Sequence, residues 1–243
     1  MIVVRKKRNS IPYRYVWFAP KPSPRDALDL VIFAQCKHDQ PVLGFARRKF
    51  TTKIIDLRKS GEELLKGMSS RSGTEVRRAR REGIEVREVE DVDEFIAFYN
   101  AFAVAKKLST VSADELVNWR TETVALAAVL DGAALAMHSY IVDRGDSRAR
   151  LLHSGGVFRS MISNEERAVA ARANRLLHYE AMLRFKELGI EKYDLGGYAQ
   201  DTLDPQLANI AKFKDTLGGE VVREDHYVST PLYLIQRTAA LLK

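Results

Sequence analysis

"NEERAVAARANRLLHYEAMLRFKELGIEKYDLGG", residues 164–197, decides how the chain folds. Helix-forming residues run without a proline to Gly189, a glycine placed to end the helix, and the apolar-flanked "EKYDLGG" that follows reads as a strand. The stretch before it, "RARLLHSGGVF" at 148–158, also reads as a strand. Two strands joined by so long a helix are connected as a parallel pair requires. Further upstream, "DGA" and "DRGDS" supply the tight turns of antiparallel hairpins. A mixed sheet flanked by helices follows, of α+β (α/β) class.

Working outward, the order from Ile84 is strand 84–89, helix 92–108, short helix 112–120, strands 123–131, 133–143 and 148–158, the long helix, the strand 191–197, helix 205–218 and strand 219–229. Three β-rich runs precede it, 13–19, 28–38 and 42–50, separated by the Pro-rich "PKPSPRD" and by "DQP", and they read as a meander. After "KIIDL", helical stretches at 60–68 and 73–83 form a connector that Gly83 ends. The resulting divisions are a β-rich segment 1–60, a basic connecting helix 61–83 and a complete domain 84–243.

With 243 residues, 46% hydrophobic and 29% charged, the chain has room for one generous domain, or for one domain and part of a second. Composition excludes collagen, solenoid and disordered classes. No stretch reaches the roughly 18 to 20 apolar residues of a membrane span. Thirty-nine Lys+Arg against thirty-two Asp+Glu give a net charge of +7, which favours anionic partners. The single cysteine, Cys36, lies in an apolar run and reads as a buried small hydrophobe in a reducing, cytoplasmic compartment. The cluster Arg5, Lys6, Lys7, Arg8 has no apolar region behind it of signal-peptide length. It suits either a solvated basic tail or peripheral contact with an anionic membrane at its inner face.

One lysine stands out. If Asp204 caps a helix and Pro205 fills its first turn, then Leu207, Ile210, Ala211, Lys214 and Leu217 share one side, and Lys214 interrupts an apolar stripe. A charge on a buried stripe is costly unless it is paired or faces a wet cleft. A cleft that receives an anion resolves the cost; a side chain snorkelling to a surface partner, Asp215 or Glu220, is the bland alternative.

The element order is that of the GNAT acyltransferase fold over about the last 160 residues. Its motifs, "IDLRKSGEELLKGM" leading into "VRRARREGIEV", then "ANRLLHYEAMLRFKELGIEKYDLGG", then "IAKFKDTLGGEVV", resemble the Fem family (FemABX) of non-ribosomal peptidyltransferases. Those enzymes move an amino acid from aminoacyl-tRNA onto a peptidoglycan precursor. Full-length members pair two GNAT-like units, whereas this chain has room for one complete unit preceded by a truncated first. The resemblance implies that Phe213 and Lys214 line the catalytic channel, with the lysine stabilising negative charge on the donor or on the developing oxyanion. It also implies an anionic cell-wall precursor as acceptor, aminoacyl-tRNA as donor and no bound cofactor.

Other candidates follow from position. Asp194 ends a strand beside Gly196 and Gly197, where ligands gather in open α/β sheets and where glycine lets the backbone approach closely. Its carboxylate suits a substrate amine, the positioning of Lys214, or loop amides. Tyr198 is a candidate donor to substrate or an ordinary half-buried tyrosine. Asn174 and His178, four apart on the long helix and flanked by Arg172 and Arg175, form a polar face that either binds substrate or is simply solvated. His153 is either a base or a hydrogen-bonded core histidine. Arg77, Arg78, Arg80 and Arg81 cannot all hide on one helical face, so tRNA or precursor phosphates, or Glu75 and Glu82, must answer some of them.

Acyl-CoA is disfavoured as donor. Where acetyl-CoA enzymes carry a glycine-rich pyrophosphate turn, this chain reads "GGVFRSMISNEERAVA", with Glu165 and Glu166 at the helix start. No Walker loop, zinc spacing or nucleophile elbow is present, so no metal site is expected. Two rival readings stay open: a GNAT N-acyltransferase using acyl-CoA or a carrier thioester on an amino sugar or small amine, and a non-catalytic tRNA- or membrane-binding module. Oligomeric state is not legible.

Overall fold

The computed structural model describes residues 1–8, 11–116, 118–157 and 163–241. In chain order the elements begin β1 (Ile2–Arg8), β2 (Ile11–Trp17), β3 (Val31–Cys36), β4 (Phe45–Arg48), β5 (Thr51–Asp56), α1 (Gly61–Gly67) and α2 (Ser70–Arg81). They continue with β6 (Glu85–Glu88), α3 (Val92–Lys106), β7 (Thr123–Leu130), β8 (Ala133–Asp143), β9 (Arg148–Gly156) and α4 (Asn164–Glu187). Last come β10 (Lys192–Gly197), α5 (Pro205–Asp215), β11 (Glu220–Arg223), β12 (Asp225–Ser229) and α6 (Thr230–Leu241). Contacts divide the chain into residues 1–52 with 221–243, and residues 53–220. This partition differs from the divisions 1–60, 61–83 and 84–243 because the C-terminal strand joins the N-terminal sheet.

In the smaller unit the sheet order is β1-β2-β3-β12-β4. The expected meander is corrected here: β2 and β3 run parallel, and β12 lies antiparallel between β3 and β4. The Pro-rich link is the physical reason, since it crosses over through a 3-10 turn, Pro24–Leu28, instead of reversing the chain. Arg14 ties that crossover down through Asp26 at 2.6 Å and Asp29 at 2.8 Å. The basic N-terminus is also a strand and not a solvated tail. Ile2 and Val4 point inward at 3% and 2% exposure while Arg5 and Lys7 form the outward row. The single expected strand at 219–229 is two strands, β11 and β12, in different sheets. Cys36 is fully buried, which with Glu224 and Asp225 nearby pushes its thiol up to about 12.

The larger unit carries the mixed central sheet flanked by helices. Its strands follow the order β5-β10-β9-β8-β7-β6. Pairing is parallel between β9 and β10 and antiparallel from β9 through to β6. Period-2 alternation sorts the core. Leu126, Ala128, Ala136, Tyr140 and Val142 pack with α1, α2 and α4 on one face, while Ala125, Ala127 and Met137 pack with α3 on the other. The long helix α4 opens with a capping box formed by Ser163 and Glu166, so Glu166 is spent on the helix start. Residues 158–162, the middle of the segment searched for a pyrophosphate turn, lie outside the described residues. Expected elements 112–120 and 148–158 likewise include undescribed positions, Val117 and Phe158.

One feature of this sheet positions the candidate site. β9 and β10 pair over three residues only, Arg148, Ala149 and Arg150 against Lys192, Tyr193 and Asp194. Beyond Arg150, β9 stays with β8 as far as Gly156 opposite Ala136. Their pairing therefore stops at Arg150 and Asp194, and Gly196 and Gly197 at the end of β10 lie within reach of the last turn of α5.

Candidate active site

Lys214, in the last turn of α5, reaches back to this end of β10. Its Nζ donates to the carbonyl of Gly197 at 2.6 Å and to that of Gly196 at 3.2 Å. Burial lowers its pKa to about 8; the neighbouring Arg150 pushes the same way and Asp194 opposes. Gly196 holds φ +73°, and a Cβ there would meet the Leu151 carbonyl at 3.2 Å. The pair of carbonyls is thus a product of a turn that only glycine makes easily. Asp215, the surface partner considered for Lys214, is instead bound to Lys53 at 2.5 Å and to the Tyr198 hydroxyl at 3.0 Å.

Phe213, the residue before Lys214, lines a cleft of about 340 Å³. Phe213, Asn174 and Arg175 form one wall, Ser154, Gly155 and Gly156 of β9 another, and Phe102 and Lys106 of α3 close it. Arg175 lies 5.5 Å from the Phe213 ring and donates through Nη1 to the Ala171 carbonyl, while its buried Nε has no partner among the described residues. Lys106 and Arg175 make the cleft cationic, with no carboxylate among its lining residues.

The remaining candidates divide. Asp194 is fully buried, and its Oδ2 accepts from Arg148 Nη2 at 2.6 Å and Nε at 3.0 Å while Oδ1 accepts from the Gly196 amide at 2.8 Å. The loop-amide reading matches this geometry, and the partner is an arginine that sequence reasoning missed. Register alone creates that pair, across two strands 46 residues apart. Arg172 is 2% exposed and donates to Glu82 at 2.7 Å and to Glu165 at 3.3 Å, so it clamps α2 to α4 and does not face the cleft. His178 is 2% exposed, with Nδ1 2.8 Å from the Tyr193 hydroxyl, and so is not part of a solvated face. His153 bonds Ser139 at 2.8 Å and stacks near Tyr99 in the α3 core, as a core histidine does. On α2, Arg78 pairs with Glu82 at 2.7 Å and Arg80 with Glu180 at 2.6 Å. Arg77 and Arg81 are exposed and make no ion pair among the described residues. None of these residues forms a metal-binding cluster among the described residues.

No protein-family model matches the chain, and no curated protein matches its sequence. Solved structures do match in fold. FemX superposes with a TM-score of 0.68 at 15% identity over 96% of this chain and 85% of that one. L-PGS from Bacillus licheniformis gives 0.61 at 15% identity, over 98% and 84%. The likeness is one of fold.

Proposed function

We propose that the protein is an aminoacyl or acyl transferase of the Fem type, moving an amino acid from aminoacyl-tRNA to an amine of a peptidoglycan precursor. The observation that carries this reading is the Lys214 ammonium held on the Gly196 and Gly197 carbonyls, one residue from Phe213 in the wall of a cationic cleft. The acceptor amine attacks the ester carbonyl of the charged tRNA. The C–N bond forms, the ester C–O bond breaks, the amine proton leaves to solvent and the ribose oxygen departs with the electron pair. Lys214 stabilises the oxyanion, and Arg175 with Lys106 holds donor phosphate. Arg77 and Arg81, exposed on α2, meet the tRNA backbone. No helix among the described residues is long and apolar enough to cross a membrane. The outward basic row of β1 suits peripheral contact with anionic lipid at the cytoplasmic face, where a lipid-linked precursor would be met.

A donor panel tests the reading. Purified protein is given charged tRNAs or acyl-CoAs with nucleotide- and lipid-linked muropeptide acceptors, alongside Lys214→Met. Product formation that depends on charged tRNA and falls at least 100-fold in the variant is expected. Turnover with acyl-CoA alone, or equal turnover by the variant, overturns it.

A further inference from the structure

Asn174 and His178 sit one turn apart on α4, and a buried path joins them. His138 Nε2 lies 2.8 Å from Asn174 Oδ1 and its Nδ1 lies 2.9 Å from the Tyr140 hydroxyl. That hydroxyl is 3.1 Å from the Tyr193 hydroxyl, which is 2.8 Å from His178 Nδ1. Tyr140, Tyr193 and His138 are all 0% exposed, and the two imidazoles stand 4.4 Å apart between centroids. No carboxylate enters this chain. Each neutral ring has one N–H and one bare nitrogen and each hydroxyl has one proton, so with every hydroxyl proton bonded within the chain the direction of one bond fixes all four.

Only two directions are self-consistent. Either His178 Nδ1–H starts the chain and Asn174 Oδ1 ends it, or every bond is reversed and the amide is turned around. The group that meets His138 Nε2 decides between them. It is the oxygen of Asn174, at 2.8 Å, and an amide oxygen only accepts, so Nε2 carries the proton and Nδ1 is bare. Each hydroxyl then donates toward His138 and the proton of His178 falls on Nδ1, its ring packing against Phe213 at 5.6 Å. The order that follows is His178 to Tyr193, Tyr193 to Tyr140, Tyr140 to His138, and His138 Nε2–H to Asn174 Oδ1. With its oxygen turned to His138, Asn174 presents its NH2 to the cleft that it lines.

We infer that this buried chain fixes Asn174 as a hydrogen-bond donor into the cleft and His178 as the Nδ1–H tautomer, making Asn174 a specificity-determining residue that selects an acceptor oxygen on the substrate. The carbonyl or phosphate oxygens of an acylated nucleotide fit that requirement; an ammonium or amide N–H at this point does not. The selection role rests on the transferase reading, whereas the direction of the chain does not depend on it.

Nitrogen-15 NMR of the free, full-length protein at pH 7 tests the direction. Both rings are expected neutral, His138 carrying its proton on Nε2 and His178 on Nδ1. The opposite tautomers, or a cationic ring, overturn it. Tyr193→Phe removes the middle acceptor and is expected to shift His178 away from the pure Nδ1–H form, an effect that loss of packing alone would not produce. If that variant does not fold, Tyr140→Phe cuts the same chain one link away. A His178 tautomer unchanged in the folded variant overturns the relay. Asn174→Asp keeps an oxygen for His138 but turns an acceptor toward the cleft. In the donor panel it is expected to raise KM at least tenfold with a smaller change in kcat, and an unchanged KM defeats the selection role. Absence of turnover in the wild type would instead defeat the transferase reading, leaving the tautomers to decide the relay.

Discussion

Lys214 sits where stability and activity make opposite demands. Its half-buried ammonium has a folded pKa of about 8 against an ordinary 10.5. Below pH 8 both folded and unfolded chains hold the proton, and the folded state bears the full cost of the desolvated cation. Between about 8 and 10.5 the unfolded chain binds more protons, so stability is expected to rise with pH through that window. Transfer activity is expected to move the other way, because only the protonated amine stabilises an oxyanion. The kcat/KM profile of the wild type should fall above pH about 8, and Lys214→Arg should flatten that fall by keeping the charge. Lys214→Met should raise the unfolding midpoint at pH 7 while lowering kcat/KM about 100-fold. A wild-type profile that climbs through pH 8 to 10 would mean that the neutral amine is the working form.

At the scale of elements, the end of the β9–β10 pairing depends on a pair that no local pattern reveals. Arg148 is 1% exposed and Asp194 is fully buried, one on each strand, in the last stretch where the two still pair. Asp194→Asn takes from the buried Arg148 guanidinium its nearer counter-charge, at 2.6 Å, leaving Asp146 at 3.8 Å, and is expected to cost about 3 kcal/mol in urea unfolding. The double change Arg148→Met, Asp194→Leu is expected to recover much of that loss, since the stranded charge goes with its partner. A catalytic carboxylate would instead lose turnover with stability intact. The sequence made the β9–α4–β10 crossover readable because helix length dictates parallel pairing, and Lys214 readable because it breaks an apolar stripe. That stripe is only half what it promised. Ala211 and Leu217 are buried, but Leu207 and Ile210 are 44% and 49% exposed, so the core-facing part of α5 is its C-terminal half. The pairs Arg148–Asp194 and His138–Asn174 arise from register between elements, and register is not written in either segment alone.

For the whole chain, charge and connectivity yield separate expectations. The net +7 is an average over paired and unpaired groups, and its effect on binding rests on the unpaired ones. Arg77 and Arg81 carry no ion pair among the described residues, so neutralising both to Gln is expected to leave the unfolding midpoint within a degree or two. The same change should flatten the dependence of log K for tRNA on log salt by roughly 1.5, the share of two released counterions. An unaltered slope would place the tRNA elsewhere. Connectivity makes the firmer case. Residues 219–229 read from sequence as one closing strand, but their second half, β12, bridges β3 and β4. Tyr227 is fully buried on it and donates to the carbonyls of His38 and Gln40 at 2.9 and 2.8 Å, and Ser229 Oγ donates to the Asp29 carbonyl at 2.6 Å. Such pairing spans almost 200 residues of sequence and carries no local signal, so the N-terminal runs read as a meander. A chain ending at Glu224 therefore lacks the middle of its five-stranded sheet, with the N–H and C=O rows of β3 and β4 left bare along one edge. Hydrogen exchange is expected to show protection lost across β2, β3 and β4 and retained in β7, β8 and β9, whose partner strands all lie within residues 85–197. Retained protection in β3 would mean that this sheet closes without its C-terminal strand.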